Sequence, residues 1–166
     1  MLENRNEVLP LKKGEKVDLF GKGAIDYVKG GGGSGDVTTQ YVVNLYDGFK
    51  KLDAYVEICE ELADFYRDYI RQISDTFYWP GQKPEPTLPD DLCARVRSFT
   101  DTAVISISRF SGEGWDRDLK GHEVYEEGDF YLSSAEKAMV EKVKQYFPKI
   151  IVVMNVGGMV DTQWFF

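Results

Sequence analysis

The sequence has 166 residues, of which 43% are hydrophobic and 14% aromatic, and its formal net charge is −8. That length suggests one compact domain, and the hydrophobic content excludes a disordered chain, which combines low hydrophobicity with high charge. The negative charge disfavours nucleic acid and anionic membrane surfaces as partners, because both are polyanions. The single histidine, His122, argues against a histidine-based metal site or a serine–histidine pair. We therefore expect neither a metal nor a cofactor.

The sequence carries no sign of membrane insertion or export. No apolar run approaches the roughly 20 residues that a membrane helix needs, and residues 1–16 are polar and of mixed charge, unlike a secretory signal. Cys59 and Cys93 have no local pair and are typical of reduced packing residues. These features predict a cytoplasmic location.

Short apolar runs alternate with segments of helical period along the whole chain. In chain order, the predicted elements are a strand at 17–20, a weaker strand signal at 24–29, a glycine run at 30–33, a helix at 39–52, a strand at 54–58, a helix at 62–77, a proline-rich loop at 78–90, a short helix ending near 98, a strand at 102–108, a polar segment at 109–132, a helix at 133–147 and a strand at 150–154. Ser133 and Glu136 have the spacing of a capping box, and Pro148 ends the helix that follows them.

Strands that alternate with helices predict an α/β fold, a three-layer α/β/α sandwich with a mostly parallel sheet. We expect residues 1–166 to form one such domain, because no internal repeat or linker is visible. Ligands of these folds bind beyond the carboxyl ends of the strands. Three loops leave strand ends, at 29–36, 109–132 and 155–161, and the last is typical of a structural turn.

The first loop reads KGGGGSGD at residues 29–36. Glycines let a backbone turn tightly and approach a ligand closely. A phosphate-binding loop would need a lysine and then a serine or threonine after its last glycine, whereas Asp36 and Val37 follow here. A dinucleotide fingerprint beginning at Gly21 has Asp26 where its third glycine should be. A plain flexible loop and a ligand-binding loop both remain open.

The second loop reads SRFSGEGWDR at residues 108–117 and follows a buried strand. Its Glu113 lies between two glycines, which allow an exposed turn, and Trp115 lowers the local polarity in a way that favours a protonated general acid. An indole also suits the apolar face of a sugar ring. The alternative is a mobile acidic loop in which Arg117 pairs with Glu113 or Asp116, and the chemistry alone does not separate the two.

Several segments, in the order in which they occur, resemble family 3 glycoside hydrolases of the β-glucosidase type. They are NEVLPL at 6–11, VDLFG at 17–21, KGGGGSGDV at 29–37, ISRFSGEGWDR at 107–117, GDFYLS at 128–133 and VVMNVG at 152–157. The resemblance implies the second, α/β sandwich domain of such an enzyme, with Glu113 as its general acid/base. It further implies that Ser34, between Gly33 and Gly35, reaches a sugar hydroxyl, and that Trp115 forms a wall for the leaving-group sugar.

The resemblance also implies a partner, a (β/α)8 barrel domain of the same enzyme that supplies an aspartate nucleophile and most of the sugar pocket. Such a barrel needs about 250 residues, so 166 residues cannot contain it. We therefore expect a fragment, with a sandwich shortened at its C-terminal end, that hydrolyses no β-glucoside alone. A non-catalytic α/β module that binds a sugar or a nucleotide is the alternative function.

Overall fold

The structure, a computed structural model, describes residues 3–52, 54–76, 83–119 and 129–165. Within these residues four parallel strands form one sheet in the order β2-β1-β3-β4. The strands are β1 (Glu15–Phe20), β2 (Val56–Ile58), β3 (Thr102–Arg109) and β4 (Lys149–Val156). The α-helices are α1 (Leu45–Lys51), α2 (Glu60–Ile73), α3 (Asp90–Arg97) and α4 (Ser134–Tyr146).

Strand β3 is one of the two inner strands of the sheet, because it pairs with both β1 and β4. Its residue Ala103 lies opposite Asp18 of β1, and its residue Arg109 lies opposite Val156 of β4. All eight of its residues are buried. A strand that is covered on both faces is expected to read as a nearly continuous apolar and β-branched run, which is the pattern that predicted it.

Helices α2, α3 and α4 cover one face of the sheet. Leu62 and Tyr66 of α2, Val96 of α3 and Val143 of α4 are each at most 1% exposed, and they join one core cluster with Phe20 of β1. A fully buried aliphatic or aromatic side chain contributes roughly 1.5–3 kcal/mol relative to an exposed one. This packing therefore supplies most of the hydrophobic stabilisation that positions the strand ends.

Helix α1 and the segment before β1 cover the opposite face. A second core cluster there contains the side chains Val17, Leu19, Ala24, Val56, Ile58 and Val104, with Leu11, Leu45, Tyr46 and Phe49 packed against them. Helices therefore lie on both faces of a parallel sheet, and the predicted α/β/α sandwich is confirmed.

Helix α4 begins as its sequence predicted. The Ser133 side chain accepts a hydrogen bond from Glu136 N at 3.2 Å, and Glu136 Oε2 accepts one from Ser133 N at 2.8 Å. This reciprocal capping box satisfies two of the backbone donors that a helix start leaves unpaired. Pro148 follows the end of the helix and cannot extend it.

The strand signal at 24–29 was wrong. Gly21 takes a left-handed φ of 90°, and Ala24 N donates to Gly21 O at 2.9 Å, so the chain turns into a short 3-10 helix over Lys22–Ala24. The left-handed backbone requires glycine, and a strand cannot continue through it.

The helix predicted over 39–52 is shorter than its apolar period suggested. It begins at Leu45, where Asn44 caps it by accepting a hydrogen bond from Asp47 N at 2.7 Å. Residues 37–43 have no regular structure and are exposed. Helix α2 likewise ends at Ile73 rather than near 77. Residues 77–82, which include only the first part of the predicted proline-rich loop at 78–90, lie outside the described residues.

Candidate active site

Two loops that follow β1 and β3 pack backbone against backbone. We call residues 29–36 the glycine loop and residues 110–117 the acidic loop. Gly32 N donates to Ser111 O at 3.1 Å, and Gly32 pairs with Gly112 in a parallel bridge. A β-carbon on Gly112 would lie 2.4 Å from Gly32 N, and one on Gly31 would lie 2.9 Å from Ser111 O. The glycines are therefore needed for this close approach, and the glycine loop is a packed element of the site.

Glu113 lies at the tip of a tight turn in the acidic loop. Trp115 N donates to Gly112 O at 3.0 Å, and Gly114 between them has a φ of 79°. That value matches the third position of a type II turn, which strongly favours glycine. The Glu113 side chain is exposed, while the ring of Trp115 meets Phe110 edge to face with centroids 5.4 Å apart. The turn thus presents a carboxyl group at its tip, in a loop that also contains an aromatic pair.

The glycine loop contacts that carboxyl group directly. Gly33 has a φ of 66°, and a β-carbon on it would lie 2.7 Å from Oε2 and 2.9 Å from Cβ of Glu113. Ser34 is the next residue and is exposed, within the 3-10 turn Gly33–Gly35. Lys29 closes the same loop, because its Nζ lies 2.9 Å from Asp36 Oδ1. The structure therefore brings the predicted residues Glu113 and Gly33 together, with Ser34 and Gly35 adjacent in the chain.

A cleft of about 630 Å³ lies beside this pair. Its wall includes Tyr27, Lys29, Gly33, Phe110 and Trp115. Glu113 and Ser34 do not line it, so the cleft is next to the predicted catalytic group rather than around it. A wall that combines aromatic side chains with a lysine is suited to a ring that has both apolar and polar surface.

The end of β4 contacts both loops. The sequence had indicated this segment, 155–161, only as a structural turn. Asn155 Nδ2 donates to Val28 O at 3.0 Å, next to the glycine loop. In the acidic loop, Ser111 Oγ donates to Gly157 O, which follows β4, at 3.2 Å. A β-carbon on Gly157 would lie 2.3 Å from that hydroxyl oxygen, so a side chain there would displace Ser111. The asparagine and glycine after an apolar strand were the only sequence signal for this role.

Two buried arginine–carboxylate pairs lie near the ends of the acidic loop. Arg109 binds both oxygens of Glu136, at 2.6 and 2.7 Å. Arg117 pairs with Asp129, and not with Glu113 or Asp116 as the sequence had suggested. Sequence reasoning missed both pairs, because the partners are 27 residues apart in the first pair and 12 residues apart in the second. His122 lies outside the described residues.

Two other buried carboxyl groups lie away from the loops. Burial raises the pKa of Asp18 to about 7, against opposing effects of the Cys59 thiol and the Arg97 charge. Burial also raises the pKa of Glu85 to about 7, although Lys22 opposes this through its charge and its backbone N, which donates to Oε1 at 2.8 Å. Both groups lie in the protein interior, which separates them from the exposed Glu113.

The cysteines occupy the core as their sequence context predicted. Cys59 and Cys93 are buried and neither is in a disulfide. Among the residues that the structure describes, no three histidine, cysteine, aspartate or glutamate side chains are grouped to hold a metal ion. None of the described helices has the length and apolar character to cross a membrane.

The fold and the two loops define a class of protein, an α/β sandwich domain that presents a carboxyl group on a turn packed against a glycine loop at its strand ends. The whole chain, residues 1–166, matches the family model described as the glycosyl hydrolase family 3 C-terminal domain. The chain belongs to this family, as the resemblance of its motifs had implied.

Relatives and solved structures agree with this assignment. The chain is 47% identical to beta-glucosidase A of Butyrivibrio fibrisolvens, across 99% of the chain and 22% of that protein. It is 33% identical to a beta-glucosidase of Ruminococcus albus, across 94% of the chain and 16% of that protein. Beta-glucosidase 3B from Thermotoga neapolitana, solved in complex with glucose, superposes with a TM-score of 0.81 at 36% identity, across 94% of the chain and 22% of that structure. The chain therefore spans about a fifth of the length of these relatives.

Proposed function

We propose that this chain is the acid/base-bearing domain of a retaining β-glucosidase-like glycoside hydrolase, and that Glu113 is the general acid/base. The observation that carries the proposal is the exposed Glu113 carboxyl group at the tip of a glycine-dependent turn, held against Gly33. Relatives named beta-glucosidase, of which the chain covers about a fifth, support the same reaction class.

In the proposed mechanism Glu113 acts twice. Protonated Glu113 gives its proton to the glycosidic oxygen while a carboxylate nucleophile attacks the anomeric carbon and the leaving-group sugar departs. The ionised Glu113 then takes a proton from water, which attacks the covalent glycosyl intermediate and regenerates the nucleophile. Retaining chemistry needs the two carboxyl groups about 5 Å apart. The exposed position of Glu113 leaves it free to meet a nucleophile brought by another domain.

The neighbouring residues have proposed roles in holding the sugar. Ser34 would exchange a hydrogen bond with a hydroxyl of the bound sugar, and Gly33 and Gly35 would let the backbone approach it. Trp115, which already packs against Phe110 beside the cleft, would stack on the leaving-group sugar. The combination of one aromatic face with a few polar groups is what a sugar ring requires.

The proposed substrate is a terminal β-D-glucosyl residue or a related sugar. The proposed partner is the (β/α)8 barrel domain of the same enzyme, which supplies the aspartate nucleophile and most of the pocket. We expect the isolated chain to be inactive, because a retaining hydrolase needs both carboxyl groups. A cytoplasmic location stays a prediction.

Leaving-group dependence in the full-length protein that contains this chain tests the proposal. Glu113→Ala should lower kcat/KM for cellobiose by about 10²–10⁴-fold, the usual contribution of general acid catalysis. A 2,4-dinitrophenyl glucoside should lose far less in its glycosylation step, because its leaving group needs no proton. Asp116→Ala in the same exposed loop is the matched control and should show no such difference between substrates. Equal losses on both substrates for Glu113→Ala would contradict the acid role.

One observation favours a second candidate, a non-catalytic binding module. The 630 Å³ cleft is lined by Lys29 and backbone glycines but not by Glu113, so a ligand could bind there without touching the proposed acid. Calorimetry of the chain with glucose, cellobiose and a nucleotide separates the two functions. Tight binding of the nucleotide, which Lys29→Met abolishes, would favour the module over the hydrolase domain.

A further inference from the structure

Arg117 closes the acidic loop into a ring. Its Nη1 donates to Phe110 O at 2.7 Å, so one guanidinium joins the two ends of residues 110–117. The same nitrogen binds the carboxylate of Asp129, whose other oxygen accepts a hydrogen bond from Asp118 N at 2.8 Å. The two side chains are only 11% and 4% exposed. The loop that carries Glu113 is therefore fixed by a buried charged pair as well as by its own backbone.

This arrangement is costly for the fold. Within the described part of the chain, Nε and Nη2 of Arg117 are buried without a hydrogen-bond partner. A buried donor that stays unpaired loses its hydration without compensation, and an apolar residue of the same shape would avoid that loss. The pair is thus poorly explained by stability alone. What it achieves is a fixed separation between Phe110 and Arg117, the two ends between which Glu113 protrudes.

We infer that Arg117 and Asp129 are positioning residues for Glu113, a role that rests on the proposed function of Glu113. The turn at 112–115 is closed by the hydrogen bond from Trp115 N to Gly112 O, and Glu113 leaves this turn toward Gly33. With the ends of the loop released, the hydrogen bond that closes the turn can break, and the opened turn can carry the carboxyl group away from the glycine loop. A misplacement of about 1 Å at a reacting group costs about 10²-fold in rate.

The other buried pair, between Arg109 and Glu136, provides a matched comparison. Its side chains are 8% and 10% exposed, close to the values for Arg117 and Asp129. The remaining donors of Arg109 bind the carbonyl oxygens of Ser108, Asp129 and Tyr131, which connect the end of β3 to the start of α4. This pair stabilises the fold outside residues 110–117. Glu136→Gln should therefore weaken the protein without selectively freeing Glu113.

Amide hydrogen exchange on the chain itself tests the inference first. Asp129→Asn should speed exchange at the Trp115 amide by more than about 10-fold while the amide of Ile105 in β3 changes little, because opening would be local. Glu136→Gln should change the two amides by similar factors. Arg117→Lys keeps the charge on a shorter side chain that lacks the rigid guanidinium plane, and should give an intermediate rate at Trp115. Unchanged exchange at Trp115 in both Arg117→Lys and Asp129→Asn would overturn the inference.

Kinetics of the full-length protein then separate positioning from mere stability. Asp129→Asn should lower kcat for cellobiose by about 10-fold or more and leave glycosylation by a 2,4-dinitrophenyl glucoside within about 3-fold, as expected for a misplaced acid. Equal losses on both substrates, matching those of Glu136→Gln, would overturn the inference and leave the acid role of Glu113 intact. If Glu113→Gln itself shows no preference between the substrates, the proposed function fails, and the positioning role fails with it.

Discussion

Asp18→Asn is the substitution whose effect the structure defines most sharply. Asp18 lies on the central part of β1 and is 0% exposed. Neither of its carboxylate oxygens accepts a well-formed hydrogen bond from the described residues, although the Cys59 thiol and the Arg97 charge lie close enough to favour ionisation. Burial outweighs both and raises the pKa of Asp18 to about 7 from an ordinary 3.8. The folded protein therefore holds this proton over a pH range in which the unfolded chain releases it.

The sign and size of the effect follow from linkage. A group whose pKa is raised on folding contributes stability that is fully present below its unfolded pKa and is lost as the pH rises through the folded pKa. The rise in the pKa of Asp18 from 3.8 to about 7 corresponds to a loss of about 4 kcal/mol in the free energy of unfolding, at roughly 1.4 kcal/mol per pKa unit. Between pH 5 and pH 8, Asp18 should remove about 2–3 kcal/mol from the free energy of unfolding.

Urea denaturation from pH 5 to pH 8 measures this effect. Asparagine has nearly the same shape as a protonated aspartic acid and no charge to lose, so Asp18→Asn should remove the part of the pH slope that belongs to this residue. Glu85, whose pKa is also raised to about 7, contributes a slope of the same sign in both proteins and cancels in the difference. Asp75→Asn at an exposed position is the control and should leave the slope unchanged. Parallel curves for the chain and Asp18→Asn would refute the burial argument.

Four further substitutions, of which Gly48→Ala is a control, test the packing that supports the site. Gly112→Ala should destabilise the chain by about 1–3 kcal/mol in urea, because the new β-carbon would lie 2.4 Å from Gly32 N. Gly48→Ala in helix α1 has nothing within 4 Å of the new β-carbon and should stabilise the chain by up to about 1 kcal/mol. Equal effects at the two glycines would contradict the close approach of the loops. Tyr66→Phe removes the hydroxyl that accepts from buried Gly21 N at 2.8 Å and should cost about 1–3 kcal/mol; an unchanged midpoint would mean that this amide finds another partner. Ser133→Ala removes the acceptor for Glu136 N and should cost about 1 kcal/mol, and a thermal melt identical to that of the chain would count against the capping box.

The sequence was sufficient where one local pattern decides the structure. The β-branched run of β3 and the capping box at Ser133 predicted their elements because burial on both faces and helix capping each leave a short, recognisable signature. The apolar pattern at 24–29 wrongly predicted a strand, because the chain turns at Gly21, before that segment, into a short 3-10 helix. It also placed the start of α1 too early, since an apolar period cannot show where a cap such as Asn44 begins the helix.

The site divides in the same way. Glu113 and Trp115 were singled out in one short glycine-flanked run, whose chemistry alone left their role open, and the roles of Glu113 and Ser34 came from the family resemblance. The contact between Gly33 and Glu113 was not predicted, because it joins loops that are 80 residues apart in the chain and depends on the sheet bringing them together. The pairing of Arg117 with Asp129 was missed for a related reason, since nearer acidic residues offered a simpler partner.

Chemical rescue is the measurement that tests the proposed acid/base role of Glu113 most directly. In the full-length protein, Glu113→Ala should form the glycosyl intermediate from a 2,4-dinitrophenyl β-glucoside but release it slowly, because no base activates water. Azide needs no base, so it should accelerate turnover and give β-glucosyl azide, with the configuration of the substrate retained. A product of α configuration would identify Glu113 as the nucleophile instead, and no response to azide would contradict its role as the general base.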